Sequence, residues 1–536
     1  MFTRLGAMMQ LRAISGVSLP QLAWVAEVDR KREIVTLVHG AKVEVRENFF
    51  IEGVWNGPFE SGNFGETDCV FGSGGILSDE SIRFVTSTAT TDYLYYAEDG
   101  EQVTVSNSLP LLLACIGDAL DPGCQKYPEI CESILDGIND YWRDIPTKKG
   151  KVRRQMYWNL DVSKEKICDA DKSMPPRFSC FEDYYGYLRN NYALIAVNAR
   201  DEARTHPLEI CSTQSKGYDT TAINAIAREQ GIDKVFTVTT AKSIFHQAPY
   251  DNVKLPDDDG SEICEVLALN CIPLNRRAYA EEFDQEYLYY CALHHNQDAN
   301  LKDIRKFMGK VSLLLTGING DVVWSRENVA LRTFLDSSLR RGDLGGHGMG
   351  ELRLVVGFVQ LPLPFMGARQ KADIVRITES SEMDPWRLGN AYDRPIPRRV
   401  AEEAGVPRHL FGQSKMASAL IFPPPSIPHG KALRHEFFDW LVDEKIMAKV
   451  TLSLWPFVRW LNSILMLKSE RRYALVYYAE RVISKVFRCQ YHFKLIWPNL
   501  DGALFCFCVN NTAAKYARAV SGLKGNLQER LNNAIA

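Results

Sequence analysis

The sequence predicts a mixed protein, α/β and α+β, in which a β-rich N-terminal domain precedes a central parallel α/β domain and a helical C-terminal region. Three observations predict it. Short alternating apolar runs separated by Gly- and Asn-rich turns fill residues 17–115, the period-two signature of half-buried strands. From about residue 191 to 430, strand-like runs alternate with helical ones, as in a parallel sheet joined by crossover helices. Beyond 431, positions such as Phe438, Leu441, Val442, Lys445 and Ile446 recur at helical spacing. A chain of 536 residues is too long for one core and divides here into 1–115, a connector over 116–190, 191–430 and 431–536.

In the first domain the strands are expected at 22–28, 33–38, 43–45, 82–85, 93–97 and 102–106. A helix is expected over 181–204, where Tyr184, Leu188, Tyr192, Leu194 and Val197 repeat at helical spacing and the tyrosines belong to the core. The central domain reads as strand 207–210, a Ser/Gly loop, helix 222–227, strand 234–240, helix 262–269, strand 270–274, helix 281–295 and strand 309–315.

Composition narrows the function. With 46% hydrophobic and 24% charged residues the chain is of ordinary globular make-up. A net charge of −3, from 63 basic and 66 acidic residues, supplies no bulk field for nucleic acid or an anionic membrane. The 13 cysteines are scattered and odd in number, which argues against a disulfide framework and for a reducing cytoplasm. Cys506 and Cys508 lie among Leu504, Phe505 and Phe507 and read as buried thiols rather than zinc ligands. No secretory signal is expected, since Gln10 and Arg12 interrupt the first apolar stretch. The most apolar region, 452–467, is broken by Pro456, Arg459 and Asn462, so no membrane span is expected.

The chemistry concentrates where strands end. After the strand at 207–210 the chain reads Ser215-Lys216-Gly217-Tyr218-Asp219-Thr220 and then turns helical. A Ser/Gly turn at a helix N-terminus makes a nest of backbone N–H groups that attracts phosphate. The loop lacks the spacing and terminal Lys-Ser/Thr of a Walker loop. About a hundred residues on, the apolar run ending at Leu315 leads into Thr316-Gly317-Ile318-Asn319-Gly320-Asp321. Ligands of open α/β sheets sit beyond C-terminal strand ends, and Asp219 and Asp321 both fall just past such ends. A third stretch comprises Tyr392-Asp393-Arg394-Pro395-Ile396-Pro397-Arg398-Arg399 and Phe411-Gly412-Gln413-Ser414-Lys415.

The first loop resembles the S-G-G-x-D-S pyrophosphate loop of the PP-loop ATPases, and the second resembles the S-G-E-G-x-D-E segment of asparagine synthetases and β-lactam synthetases. The third resembles the end of the synthetase domain in that family. The resemblance spans roughly residues 80–420. It implies that ATP is split into AMP and pyrophosphate, that Asp219 and Asp321 hold Mg²⁺, and that Ser215, Lys216, Gly217, Thr220, Thr316, Gly317 and Gly320 line the nucleotide. Val238, within 237–240, would lie against adenine. Lys415 would touch the phosphates and the reacting centre. Glu351, in an E-x-R with Arg353, would handle a substrate amine or else start the last strand with a salt bridge. Residues 94–100 and 105–112 resemble the late strands of the glutaminase domain that precedes the synthetase domain. That activity needs an N-terminal Cys as nucleophile. Here the first cysteine is Cys69, so the domain is expected to be truncated and structural.

The departures are Lys216 where the first loop has its leading Gly, and Ile318, Asn319 and Val322 in the second. Lys216 can help neutralise phosphate, although a Cβ narrows the room beside the backbone. The implied function is an AMP-forming amide-bond synthetase that adenylates a carboxylate and passes the acyl group to an amine or ammonia, as in β-lactam or lasso-peptide ring closure. Two other readings stay open: amidation of a small molecule or sugar acid with ammonia from a partner, and a catalytically silent binding module. His294 and His295, being adjacent, cannot share a metal from one helix face. Like His347, they read as exposed or hydrogen-bonded. The glycine-rich 345–350 is expected to be a mobile loop and a candidate lid. Residues 431–536 carry eight more basic than acidic residues, interleaved with Trp440, Trp455, Trp460, Tyr473, Tyr477, Tyr478 and Trp497. Such a surface can hold an acidic peptide, a carrier protein, a nucleic acid strand or a membrane face, and packed helices whose basic residues merely face water are the preferred reading.

Overall fold

The computed structural model describes residues 9–239, 258–275, 285–293, 303–325, 337–390, 392–413, 427–428, 430–457, 481–488 and 499–535. The fold is mixed α/β. Two β-sheets pack face to face at the N-terminal end, a parallel sheet follows, and helices cover the outer faces.

The first sheet has seven strands in the order Gln10–Gly16, Ile34–Gly40, Trp24–Asp29, Gln102–Ser106, Leu94–Asp99, Gly150–Gln155 and Asp144–Thr147. The second has six: Ile167–Ala170, Asn159–Ser163, Ser81–Val85, Val70–Leu77, Phe49–Trp55 and Glu44–Val45. Alternation places Trp24, Ala26 and Leu37 of one sheet against Phe50, Phe84 and Leu160 of the other, and the Trp24 and Phe84 rings stack with centroids 5.9 Å apart. The stretch read as a connector supplies the strands between 144 and 170, which extend both sheets.

Three strands of the N-terminal region escaped the alternation pattern, Gln10–Gly16 among them. Phe49–Trp55 is buried at every position, Glu52 included, so its two faces do not alternate in burial. Val70–Leu77 is half glycine and serine because its backbone lies hard against the facing strand, where a Cβ on Gly72 or Gly74 would strike the carbonyls of Glu52 and Phe50.

The third sheet is parallel throughout, in the order Cys271–Asn275, Lys234–Thr239, Glu209–Gln214, Ser312–Thr316 and Phe358–Pro362. The chain builds outward in one direction from Glu209–Gln214, then returns to add Ser312–Thr316 on its other side. The strand order therefore reverses between these two, the place beyond the C-terminal strand ends where open α/β sheets hold their ligands.

The helix expected over 181–204 runs Phe181–Ala199. Tyr184 and Tyr192 are fully buried as expected, but Leu194 and Val197 face outward, 49% and 63% exposed. The drift of a 3.6-residue helix carries them off the buried stripe. The C-terminal region is helical, with Lys431–Asp443, Lys449–Ser453 and the long Asp501–Ile535. Cys506 and Cys508 are buried in it, as expected. Of its described aromatics, Trp440 stacks on Phe437 and Trp455 meets Phe438 edge-on, whereas Phe457 and Phe487 are exposed. Trp460, Tyr473, Tyr477, Tyr478 and Trp497 lie outside the described residues. Among the described residues no helix is long and apolar enough to cross a membrane.

Candidate functional site

Three segments distant in sequence meet where the strand order reverses. The strand Glu209–Gln214 ends, the chain turns at Ser215-Lys216-Gly217, and the helix Tyr218–Ala227 begins with Gly217 as its extended N-cap and Asp219 in its first turn. The turn is internally wired. The Thr220 hydroxyl accepts from Ser215 N–H at 3.1 Å and the Ser215 hydroxyl from Gly217 N–H at 3.1 Å. Lys216 N–H donates to the carboxylate of Asp258 at 2.9 Å. Lys216 is not among the residues with positive φ, so its side chain brings no backbone strain to the turn.

The neighbouring strand Ser312–Thr316 delivers the second loop. Asn319 sits at φ 69°, a left-handed position that asparagine tolerates better than most residues with a Cβ. It caps the short helix Gly320–Val323, which carries Asp321. Gly317 and Gly320 lie against the first loop: a Cβ on Gly317 would stand 2.8 Å from the Asp219 Cβ, and one on Gly320 2.6 Å from its carboxylate. Ile318 and Val322, two of the departures, are packing residues. Ile318 fills the core beside Gly346, and the Val322 carbonyl accepts from Lys371 Nζ at 2.7 Å. The Thr316 hydroxyl is buried with no partner among the described residues, an orphan that a ligand could satisfy.

The third segment closes the site. Gly412 N–H donates to the Lys216 carbonyl at 2.8 Å, and at φ 62° Gly412 packs on the Tyr218 ring. Arg398, fully buried, donates to the Tyr218 hydroxyl and to the Gly412 carbonyl. Arg394, 6% exposed, donates from Nη1 to both oxygens of Asp219 at 3.2 and 3.1 Å. Burial works against the charge of Arg394, but Asp219, Tyr392 and Asp321 together more than offset it and push its pKa up. Burial also pushes Lys371 down to about 8, with Asp321 opposing the shift. Two carboxylates and two buried cations thus share one small region.

Of the expected site residues, Ser215, Lys216, Gly217, Asp219, Thr220, Thr316, Gly317, Gly320 and Asp321 come together. Val238 lies at the C-terminal end of the strand Lys234–Thr239, next to this group in the sheet. Lys415 lies outside the described residues, two positions past Gln413. Glu351 has different company. It begins the helix Gly350–Val356 rather than a strand, and it accepts from Ser108 Oγ at 2.9 Å and from the Tyr516 hydroxyl at 2.8 Å. Burial pushes its pKa up to about 7, with Tyr516, Ser108 and Arg353 opposing. The cavity beside it, about 30 Å³, has room for a single water. Two turns of the same helix place Arg353 between Glu52 at 2.8 Å and Asp92 at 2.6 Å, all buried.

The loop 345–350 is not a free lid. His347 is 2% exposed, bonded to the Tyr93 hydroxyl and Arg341 at 2.5 Å and to the Thr90 carbonyl at 3.0 Å. Its glycines allow close approach to Thr91 and Ile318 rather than motion. His294 and His295 lie outside the described residues.

Arg394, Asp258 and Lys371 were not picked out from sequence. Arg394 stands inside a quoted motif, so a signal existed; Asp258 and Lys371 carry none. Among the described residues no group of three or more His, Cys, Asp or Glu is placed to hold a metal alone. Asp219 and Asp321 fit a hard divalent cation of the kind that takes one or two carboxylates and completes its shell with phosphate oxygens and water. No protein-family model matches the chain, and no curated protein matches it.

Proposed function

We propose that the chain is an ATP-dependent, AMP-forming carbon–nitrogen ligase of the asparagine synthetase and β-lactam synthetase type. The observation that carries this reading is the meeting of the loops 215–220 and 316–321 across a strand-order reversal, with Gly317 and Gly320 seated against Asp219. Two Asp-bearing loops at adjacent strand ends suit a nucleotide whose phosphates bridge them. The region 1–115 then stands as a glutaminase-like domain with a structural role.

In this reading a substrate carboxylate attacks the α-phosphorus of ATP and expels pyrophosphate, and an amine then attacks the acyl carbon, releasing AMP and leaving an amide. Mg²⁺ supplies positive charge for the leaving pyrophosphate. Asp219 and Asp321 would hold it. The N–H and side chain of Lys216 orient the phosphates, and the Thr316 hydroxyl offers one more donor. By the resemblance, Lys415 would touch the phosphates and the reacting centre. This is electrostatic catalysis, in which fixed donors meet charge as it develops. The surroundings of Glu351 support a positioning role at the junction of three elements.

A second reading, a catalytically silent binding module, is favoured by the engagement of Lys216 N–H by Asp258 and of Asp219 by Arg394. Incubation with ATP, Mg²⁺ and a panel of carboxylates and amines separates the two. Ligase activity yields AMP and pyrophosphate. Nucleotide binding without AMP supports the silent module.

A further inference from the structure

Acidic and basic groups are paired within the site. Asp258 is 4% exposed and directs a carboxylate at Lys216 N–H, the middle donor of the loop. Its position is fixed by the turn that follows. Gly260 N–H donates to Thr237 Oγ1 at 2.8 Å, Asp259 accepts from Ser261 N–H at 3.0 Å, and Gly260 lies against Gln214 at the end of the central strand. Opposite, Arg394 is aimed by Pro395, which starts the next helix, and by its stacking over the Tyr392 ring at 5.0 Å. Its guanidinium lies on Asp219 and within the field of Asp321. A carboxylate on the anion-binding amide and a guanidinium on the cation-binding carboxylates are chemical stand-ins for a phosphate and a divalent metal.

We propose that Asp258 and Arg394 are internal counter-ions of the nucleotide site: binding of a magnesium nucleoside triphosphate displaces Asp258 from Lys216 N–H and transfers Arg394 from Asp219 to a phosphate oxygen. This rests on the proposed function and adds two residues to its site. It also accounts for a buried arginine beside carboxylates that a metal would share. The cation that satisfies Asp219 becomes a phosphate ligand once a metal takes that carboxylate, so Arg394 keeps an anionic partner in both states.

The test is calorimetric titration of the full chain with MgATP and separately with Mn²⁺ alone, on wild type, Asp258→Asn, Arg394→Met and Arg394→Lys. Asp258→Asn keeps an acceptor for Lys216 N–H but removes a charge that opposes phosphate, so MgATP should bind about tenfold tighter or more. Arg394→Met should bind MgATP at least about tenfold more weakly and Mn²⁺ alone more tightly, since metal and guanidinium no longer compete. Arg394→Lys, which retains a charge without the fork geometry, should fall between the two, and it carries the arginine arm if Arg394→Met does not fold. If wild type binds MgATP but Asp258→Asn binds it no tighter, or the arginine variants bind it as well as wild type, the counter-ion proposal is overturned while the functional reading stands. If wild type binds no MgATP, both fall together.

Discussion

Gly320 lies so close to Asp219 that a single added carbon would stand 2.6 Å from the carboxylate. The two loops are therefore fitted to each other, and the fit sets the position of the carboxylate. Gly320→Ala should displace Asp219 and lower AMP formation by about a hundredfold, the usual cost of misplacing one oriented electrostatic group. Position 320 is helical and its φ is not positive, so alanine brings no backbone penalty. Gly309→Ala, where nothing lies within 4 Å of the new Cβ, is the control and should keep wild-type turnover.

Arg353 joins the parallel-sheet region to the N-terminal sheets through Glu52 and Asp92, with side-chain exposures of 0–3% across the three. Removing it leaves two buried carboxylates without their cation. Arg353→Met should cost about 3–5 kcal/mol in urea denaturation. A loss below about 1 kcal/mol would mean that the triad does not hold the two regions together.

Glu351 makes stability depend on pH. Its pKa is raised from 4.5 to about 7, so between those values the folded protein holds a proton that the unfolded chain has lost. Stability contributed by the neutral form is complete below about 4.5, declines as pH rises toward 7, and changes no further above. Glu351→Gln should flatten the melting-temperature profile over that interval. An unchanged slope would show that Glu351 ionises as readily folded as unfolded.

Much of the parallel sheet was legible in the sequence, because its buried strands are apolar runs that stop abruptly at Ser, Gly and Asp. The meeting of 215–220 with 316–321 followed from both loops lying beyond strand ends. What could not be read was pairing across distance. Glu351 finds Tyr516, 165 residues on, which bears no local mark, and Asp219 finds Arg394, 175 residues on, whose motif gives no sign of its partner. The packed state of His347 was hidden in the same way, since glycine favours motion and close approach alike. Val70–Leu77 was missed because a strand of small residues owes its identity to the neighbour pressed against it.

Cys69 should be inert toward glutamine. It is fully buried, and burial together with Asp68 pushes its thiol well above the ordinary range; the Tyr187 hydroxyl stands 3.2 Å from its sulfur. Glutamine incubated with the chain alone should release no glutamate. Release that disappears in Cys69→Ser would reverse this view of the first domain.

The central claim is that the loops carrying Asp219 and Asp321 bind MgATP and split it between the α- and β-phosphates. The most direct measurement follows ATP by phosphorus NMR during incubation with Mg²⁺ and the carboxylate and amine panel, for wild type and Asp321→Asn. Wild type should give AMP and pyrophosphate, and Asp321→Asn, with its fold intact, should give them about a hundredfold more slowly. ADP and inorganic phosphate as products, or equal AMP formation by both proteins, would contradict it.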